Sequence, residues 1–259
     1  MKTDNAFTHQ LLEWHREAGT RHQVEPDIHE KDFIYWFLVG NDPSHAASQK
    51  SQIDYYFADG EKSAKKLAKL VQALELTQGR RLRLLEFASG YGCVTRHLKK
   101  EPIFDVTSCD IHPEAIEFLS RRIAVKTIQS TSSPDRFALP EKYDVVFALS
   151  FFSHMPRATW GAWVKALCNA LEAPGYLIFT THGWTSAAHM QMKELPPDGF
   201  WFAPLTEQKD IDPNEYGCTI VTPEFAFAEI RNQTGSSRIS FMQSDWWNLQ
   251  DVWVVKRDN

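Results

Sequence analysis

The chain has 259 residues, of which 43% are hydrophobic and 24% are charged, and its formal net charge is -5. This length and composition are sufficient for a buried core, and we expect one large domain with appended segments rather than two independent domains. The negative charge balance gives no electrostatic reason to expect a nucleic-acid backbone or an anionic membrane as partner. A small-molecule or protein partner fits the composition better.

The cysteines and the longest apolar runs bear on location. Cys93, Cys109, Cys168 and Cys218 form no C-x-x-C pair, so the sequence predicts neither a metal site nor a disulfide framework. Reduced thiols are typical of cytosolic proteins. The first 19 residues lack the apolar core of a signal peptide, and "YDVVFALSFF" is shorter than the ~20 residues that span a bilayer. We therefore expect a cytoplasmic protein.

The first 58 residues have mixed character and include the aromatic stretch "DFIYWFLVG". We interpret residues 1–58 as an N-terminal helical cap and residues 59–259 as the main domain. From Glu61 onward the pattern alternates between helical and strand periods. In "EKSAKKLAKLVQAL" the apolar residues recur at helical spacing and the lysines fall away from them, which predicts an amphipathic helix.

Five runs read as strands and alternate with helical segments, and "RLRLLEFA" and "YDVVFALS" have the apolar character of buried strands. The strands are "RLRLLEFA", "FDVTSCD", "VKTIQS", "YDVVFALS" and "PGYLIFTTH", and the helices lie in "VTRHLKK", "HPEAIEFLSRRIA" and "RATWGAWVKALCNALE". Such βα repeats predict a doubly wound parallel α/β sheet.

The alternation of strand and helical periods ends after Gly183. The stretch "WTSAAHMQMKELPPDGFWFAPL" has no clear period and contains three prolines, so we expect an insertion after strand five, over the carboxyl edge of the sheet. A strand in "YGCTIV" follows, and then a helix with Thr222 as its N-cap and Pro223 at its first position. Two further strands, "SRISFM" and "DVWVVKR", complete the pattern.

The stretch "EFASGYG" follows the first strand and consists mainly of small residues. In an open α/β sheet, ligands bind beyond the carboxyl ends of the strands, and small residues at the first turn let a ligand approach the main chain. Asp110 ends the second strand, 20 positions after Gly90, where an acid is suitably placed to accept hydrogen bonds from both hydroxyls of a ribose. The sequence therefore predicts a cofactor that contains a nucleoside.

Two classes of cofactor fit this pattern. A dinucleotide site requires G-x-G-x-x-G, but Thr95 stands at the third small position and Glu86 would repel a pyrophosphate. S-adenosylmethionine has no phosphate, and its ammonium and sulfonium groups are favoured by a nearby carboxylate. The second class fits better, and a nicotinamide-dependent oxidoreductase is the alternative enzyme.

With these residues the sequence resembles the class I S-adenosylmethionine-dependent methyltransferases, in which an acid-x-Gly-x-Gly-x-Gly loop follows the first strand. Ala88 replaces the first glycine of that loop, and an alanine there is tolerated if its φ is negative. The resemblance implies a Rossmann-like, seven-stranded sheet with one antiparallel strand, for which "DVWVVKR" beside "SRISFM" is the candidate. It also implies methyl transfer, which we expect to reach an oxygen or nitrogen of a small molecule.

The resemblance assigns cofactor contacts to several positions. Leu149 and Ser150 would line the methionine end of the cofactor, Ser130 or Thr131 would contact adenine, and Tyr56 would close over the bound cofactor. The full predicted set is Tyr56, Glu86, Ala88, Ser89, Gly90, Gly92, Asp110, Ile111, Ser130, Leu149 and Ser150. The alternative for Asp110 is an N-cap of the following helix.

His154 and His182 are the candidate general bases, because histidine exchanges a proton near neutral pH. The alternative for His154 is a structural role at the start of the helix near Pro156. Arg96 and His97 fit either a solvated helix face or a salt bridge. An aromatic wall for the substrate is predicted from Trp184, Phe200, Trp201, Phe202, Trp246 and Trp247, with core packing as the alternative.

Two further readings remain open at this point. A methyltransferase-like protein that binds a ligand without chemistry is favoured by Ala88 and by the lack of an unambiguous base. Methylation of nucleic acids is not expected, because "FALS" continues as "FFSHMP" and not as an "NPPY"-type motif.

Overall fold

The computed structural model describes residues 8–40, 46–74, 76, 79–206, 208 and 210–258. The chain divides into two compact units, residues 1–82 with 89–129 and residues 83–88 with 130–259. Within the described residues the helices are α1 His9–His22, α2 Phe33–Val39, α3 Ala46–Ala73, α4 Thr95–Leu98, α5 Pro113–Phe118, α6 Arg157–Asn169, α7 Trp184–His189 and α8 Pro223–Thr234. The strands are β1 Leu82–Phe87, β2 Phe104–Asp110, β3 Lys126–Gln129, β4 Tyr143–Ala148, β5 Leu171–His182, β6 Phe200–Ala203, β7 Cys218–Val221, β8 Ile239–Trp246 and β9 Gln250–Arg257.

Three helices form the N-terminal part of the first unit. The Thr8 side chain caps α1 and the Asp32 side chain caps α2, because each accepts a hydrogen bond from a main-chain N–H in the first turn. Their apolar faces share one buried cluster, which consists of Leu11, Ala18, Ile28, Tyr35, Val39, Ile53, Tyr56 and Phe57. Helices α1 and α2 and the first part of α3 lie in the segment predicted as a helical cap, of which residues 1–7 and 41–45 are outside the described part.

Helix α3 is longer than its sequence pattern indicated. The amphipathic pattern was recognised from Glu61, whereas the helix begins at Ala46 and runs through residue 58 to Ala73. Residues 46–60 contain no proline, so no proline stops the helix from extending backward over them. A domain boundary after residue 58 stays a prediction.

The first unit also contains two parallel strands, β2 and β3, whose register places Asp110 beside Gln129. Asp110 is the last residue of β2. Helix α5 begins at Pro113, within the stretch predicted to be helical, and continues into a single π-helical turn, Leu119–Ile123, which Ala124 ends in the left-handed conformation.

The second unit contains the parallel strands β1, β4 and β5, in which β4 pairs with both of the others. Every residue of β4 is buried, which is typical of a parallel strand covered on both faces. Strand β9 pairs antiparallel with β5 and with β8, so the predicted antiparallel strand is confirmed. The doubly wound α/β class is confirmed as well.

The described residues form nine strands, two more than the resemblance implies. The additional pair is β6 and β7, which are antiparallel to each other, and β7 joins β5 through His182 and Ile220. Strand β6 lies within the insertion predicted after strand five. Helix α8 follows β7, with the Thr222 hydroxyl accepting from the Phe225 N–H as an N-cap, as predicted. No helix among the described residues has the length and apolar character to cross a membrane.

Candidate functional site

The turn after β1 contains three residues with left-handed backbone conformations. The φ angles are +56° at Ala88, +54° at Gly90 and +85° at Gly92. The expectation of a negative φ at Ala88 is therefore wrong, since this alanine adopts the conformation that glycine normally supplies. A Cβ built on Gly90 would meet no atom within 4 Å, whereas one on Gly92 would lie 2.7 Å from Leu119 Cδ2. The φ of Gly92 and the close Leu119 methyl group both favour glycine there, and Gly90 leaves open space at the turn.

Asp110 is tied directly to this turn. The Gly90 N–H donates to Asp110 Oδ2 at 2.7 Å, and the Ser89 N–H donates to the Cys109 carbonyl at 3.1 Å. The other carboxylate oxygen, Oδ1, accepts from the His112 N–H at 3.0 Å and lies 2.9 Å from His112 Nδ1. The N-cap of α5 is His112 and not Asp110, so the alternative reading of Asp110 as a helix cap is wrong.

These residues fit a cofactor with a ribose. A carboxylate has about four acceptor positions, of which the three contacts above use three, so Asp110 retains capacity for a hydroxyl donor. The open space at Gly90 is where a side chain would otherwise block an approaching ligand. Glu86, the acid before the turn, is 4% exposed at the end of β1. A buried acid at this place favours the cationic cofactor over a pyrophosphate.

The other predicted cofactor contacts are distributed as follows. Ile111 and Ser130 are half-buried and follow the ends of β2 and β3, and Leu149 and Ser150 are half-buried after β4. Tyr56 is fully buried in the helical core of the first unit, where its hydroxyl donates to Asp32 Oδ2 at 2.7 Å. The contact of Tyr56 with the cofactor stays a prediction. The full burial of its side chain does not favour that contact.

A second group of polar residues lies at the carboxyl ends of β4 and β5. The Ser150 N–H donates to Thr180 Oγ1 at 2.8 Å, and the Thr180 hydroxyl donates to Gln250 Oε1 at 2.6 Å. Gln250 Nε2 donates back to Ser150 Oγ at 2.9 Å, which closes the ring of hydrogen bonds. Neither Thr180 nor Gln250 was identified from the sequence; a polar residue near the end of the apolar strand β5 was a usable signal for Thr180 but not for Gln250.

The His154 side chain is held by two residues that directly precede β7. Its Nδ1 lies 2.7 Å from the Gly217 carbonyl oxygen, and its ring stacks on Tyr216 with centroids 4.3 Å apart. Because a carbonyl only accepts, Nδ1 carries the proton and Nε2 keeps the lone pair. Burial lowers the pKa of His154 to about 4, so the ring is neutral near pH 7. Pro156 is the N-cap of α6, so His154 does not start or cap that helix.

His182 is the last residue of β5 and lies opposite Gln250 of β9 in the antiparallel register. Its Nε2 is 3.2 Å from Gln250 Nε2. The rings of His154 and His182 have centroids 6.3 Å apart. The two candidate bases therefore belong to one polar cluster in the second unit.

Arg96 and His97 are buried, at 2% and 3% exposure. Arg96 donates to the main-chain carbonyls of Gly92, Glu25 and Asp27, and no ion pair of Arg96 is found within the described ranges. The predicted solvated face is therefore wrong, and the predicted salt bridge is not found among the residues described. Burial, and then the positive charge of Arg96, lower the pKa of His97 to about 3. The burial of Arg96 and His97, and the bond from Arg96 to the Gly92 carbonyl, give both residues a structural role next to the glycine turn.

The predicted aromatic wall separates into exposed and buried residues. Trp184 and Trp247 are 46% and 41% exposed, whereas Phe200 and Trp246 are buried. Trp201 and Phe202 are half-buried in β6. Core packing accounts for Phe200 and Trp246, and the exposed tryptophans remain available to a ligand. No disulfide joins the cysteines within the described residues, which also contain no cluster of side chains able to hold a metal ion.

Comparison with known proteins agrees with this geometry. Residues 59–218 match the family model described as a methyltransferase domain. The fold and the turn after β1 define a class I S-adenosylmethionine-dependent methyltransferase, and the chain belongs to this family. S-adenosylmethionine is the cofactor of the class. No curated protein sequence gives a significant match.

Several solved structures share the fold at low sequence identity. One is an amino pentose methyltransferase from Micromonospora echinaspora involved in calicheamicin biosynthesis, determined with S-adenosylmethionine bound; it is 15% identical, with a TM-score of 0.55 over 76% of this chain and 91% of the other. A glycopeptide N-methyltransferase is 15% identical, with a TM-score of 0.51 over 76% and 89% of the two chains. The 1,6-didemethyltoxoflavin-N1-methyltransferase of Burkholderia thailandensis is 14% identical, with a TM-score of 0.52 over 85% and 92%.

Proposed function

We propose that this protein transfers a methyl group from S-adenosylmethionine to an oxygen or nitrogen atom of a small molecule. The observation that carries the proposal is the hydrogen bond from the Gly90 N–H to Asp110, which joins the ligand-accessible turn to an acid suited to ribose hydroxyls. The family match favours S-adenosylmethionine over a nicotinamide cofactor.

We assign the cofactor contacts by the family resemblance and the local geometry. Asp110 would accept from the ribose, the main chain from Ala88 to Gly92 would accommodate the methionine portion, and Glu86 would favour its positive charges. The bound cofactor supplies an activated methyl group on a sulfonium. The protein's own task is to hold the nucleophile in line with that methyl group and to exclude water.

His154 is the better candidate for a general base. Its Nδ1–H is bound to the Gly217 carbonyl, which fixes the ring and leaves the Nε2 lone pair to accept a proton. The lowered pKa keeps this nitrogen unprotonated at neutral pH. Such a base is required only when the acceptor is a neutral hydroxyl or a protonated amine.

A small molecule is the acceptor class that we propose, without nucleic acid or membrane as partner. The acceptors named for the solved structures above, an amino pentose, a glycopeptide and a didemethyltoxoflavin, support this class. The exposed Trp184 and Trp247 offer flat apolar faces for rings or sugars. The cysteines, which form no disulfide within the described residues, support a cytoplasmic location.

The test is a turnover assay with methyl-labelled S-adenosylmethionine and a panel of amino sugars, phenols and hydroxylated or amino heterocycles. We expect label in at least one acceptor and release of S-adenosylhomocysteine. His154→Asn keeps a donor for the Gly217 carbonyl but lacks the basic nitrogen, and we expect turnover to fall by about 10-fold or more with a hydroxyl acceptor. His189→Asn, at an exposed histidine, is the control.

Cofactor binding without labelled product across the panel would instead support the alternative of a methyltransferase-like binding protein.

A further inference from the structure

Gln250 lies on the same face of the sheet as Thr180 and His182. The β5–β9 register sets Gln250 opposite His182, and Thr180 is two residues before His182, so both β5 side chains point to one face. Gln250 is 3% exposed. Because a buried amide must be satisfied by its neighbours, the direction of each hydrogen bond around Gln250 is constrained.

The first constraint comes from Ser150. Its main-chain N–H only donates, so Thr180 Oγ1 accepts this bond at 2.8 Å. The Thr180 hydroxyl proton is then directed to its other partner, Gln250 Oε1, at 2.6 Å. That distance is typical of an O–H···O hydrogen bond and short for an N–H donor. The oxygen of the Gln250 amide therefore faces Thr180.

The second constraint concerns the amide nitrogen, which faces the opposite way. Gln250 Nε2 lies 2.9 Å from Ser150 Oγ and 3.2 Å from His182 Nε2. An amide N–H only donates, so His182 Nε2 must present its lone pair. A neutral imidazole with the lone pair on Nε2 carries its proton on Nδ1.

We propose that Gln250 is a positioning residue that holds His182 as the neutral Nδ1–H tautomer, so that the Nε2 lone pair of His182 is engaged by the amide and does not serve as a general base. The role in methyl transfer rests on the proposed function, whereas the tautomer does not. A proton added at Nε2 would face the amide proton of Gln250 that points to His182, which opposes the imidazolium form. The general base is then His154, whose Nε2 is the unprotonated nitrogen.

Two ionisable groups lie near His182. The His154 ring is at 6.3 Å and is neutral near pH 7. Asp251 follows Gln250 on β9, and its side chain alternates to the other face, where Oδ1 accepts from the Ser244 N–H at 2.8 Å. Neither group replaces the amide of Gln250 as the partner of His182 Nε2.

The tautomer is measured on the full-length protein, labelled with nitrogen-15 in histidine, by long-range proton–nitrogen correlation of the imidazole rings. We expect the Nδ1–H pattern for His182 near pH 7. Gln250→Glu replaces the amide donor with a carboxylate that accepts, so we expect the His182 proton to appear on Nε2. Gln72→Glu adds the same charge on an exposed part of α3 and should leave the His182 pattern unchanged. An Nε2–H pattern for His182 in the unmodified protein overturns the proposal.

The role in transfer is measured separately. Gln250→Met keeps the length of the side chain but removes both polar atoms, and we expect kcat to fall by about 10-fold while affinity for S-adenosylhomocysteine stays within about threefold. Thr180→Val removes the hydroxyl that orients the amide. We expect the same result for this variant, a lower kcat with little change in the affinity for S-adenosylhomocysteine. Unchanged kcat in both variants overturns the role in transfer. If the unmodified protein methylates no acceptor, the proposed function fails, and the imidazole spectrum still decides the tautomer.

Discussion

The main-chain N–H of Gly90 donates a 2.7 Å hydrogen bond to the carboxylate of Asp110, which joins two residues 20 positions apart in sequence. This bond fixes the turn after β1 to the end of β2. It also means that the acid proposed to bind the ribose helps to shape the turn along which the cofactor would lie. Binding of the cofactor and order in the turn should therefore respond to the same substitution.

The first prediction concerns this acid. Asp110→Asn keeps the shape of the side chain but removes its charge, and hydrogen bonds to a charged group contribute about 1.5–3 kcal/mol. We expect the affinity for S-adenosylhomocysteine to fall by about 10-fold or more, measured by calorimetry. Asp105→Asn is a matched control on the same strand, since Asp105 is exposed and pairs with Lys126. Equal affinities for the two variants would remove Asp110 as the ribose ligand.

The second prediction concerns the left-handed alanine. An alanine at a φ of +56° carries a strain of about 1 kcal/mol, which glycine relieves, although glycine also adds entropy to the unfolded chain. We expect Ala88→Gly to be neutral or to stabilise by up to about 1 kcal/mol in urea unfolding. Ala228→Gly, at an exposed position of α8, should instead destabilise by about 0.5–1 kcal/mol. Similar losses at both positions would contradict the left-handed conformation.

The third prediction concerns a close approach at the end of β5. A Cβ added to Gly183 would lie 1.9 Å from Asp251 Oδ2. Asp251 is 1% exposed, so its carboxylate has little room to move. We expect Gly183→Ala to destabilise by about 2 kcal/mol or more, and we expect Asp251→Ala to relieve part of that loss in a double-mutant cycle. Additive effects of the two substitutions would rule out the steric conflict.

The fourth prediction concerns acid stability. Burial lowers the pKa of His15 to about 4 and that of His97 to about 3, from 6.5. Between the folded and the unfolded pKa values, the unfolded chain therefore binds more protons than the folded protein. The contribution of each histidine to the free energy of unfolding is complete above about pH 6.5 and is lost as the pH falls toward 4. We expect each histidine to remove about 2 kcal/mol of the free energy of unfolding between pH 7 and pH 5.

His97→Leu tests this pH dependence directly. Both ring nitrogens of His97 lack a hydrogen-bond partner among the residues described, so leucine removes the titrating group without breaking a bond. We expect the variant to lose about 2 kcal/mol less than the unmodified protein over the same pH range. His189→Leu, which makes the same substitution at an exposed position, is the matched control. A His97→Leu protein with the original acid sensitivity would show that His97 does not titrate in this range.

Much of the fold follows from periodicity, because continuous apolar runs identify buried parallel strands and helical spacing identifies their covering helices. The short strand β6 was not recognised, since four residues in a proline-containing insertion give too little pattern. The backbone at Ala88 was predicted with the wrong sign of φ, because alanine rarely adopts the left-handed conformation and only the surrounding turn imposes it.

The site was predictable in part. Asp110 and the glycine turn follow from a local pattern and its spacing. Gln250 could not be predicted from the sequence, because its partner Ser150 lies 100 positions away and no local signal connects the two residues. The same holds for Arg96, whose charge suggests a solvated position, while its carbonyl partners come from residues about 70 positions earlier.

The most direct measurement is a calorimetric titration of the purified protein with S-adenosylmethionine, S-adenosylhomocysteine and NADH. The account predicts micromolar binding of the first two ligands and no binding of the dinucleotide. Binding of NADH, or of none of the three, would contradict the assignment of the turn after β1 as an S-adenosylmethionine site.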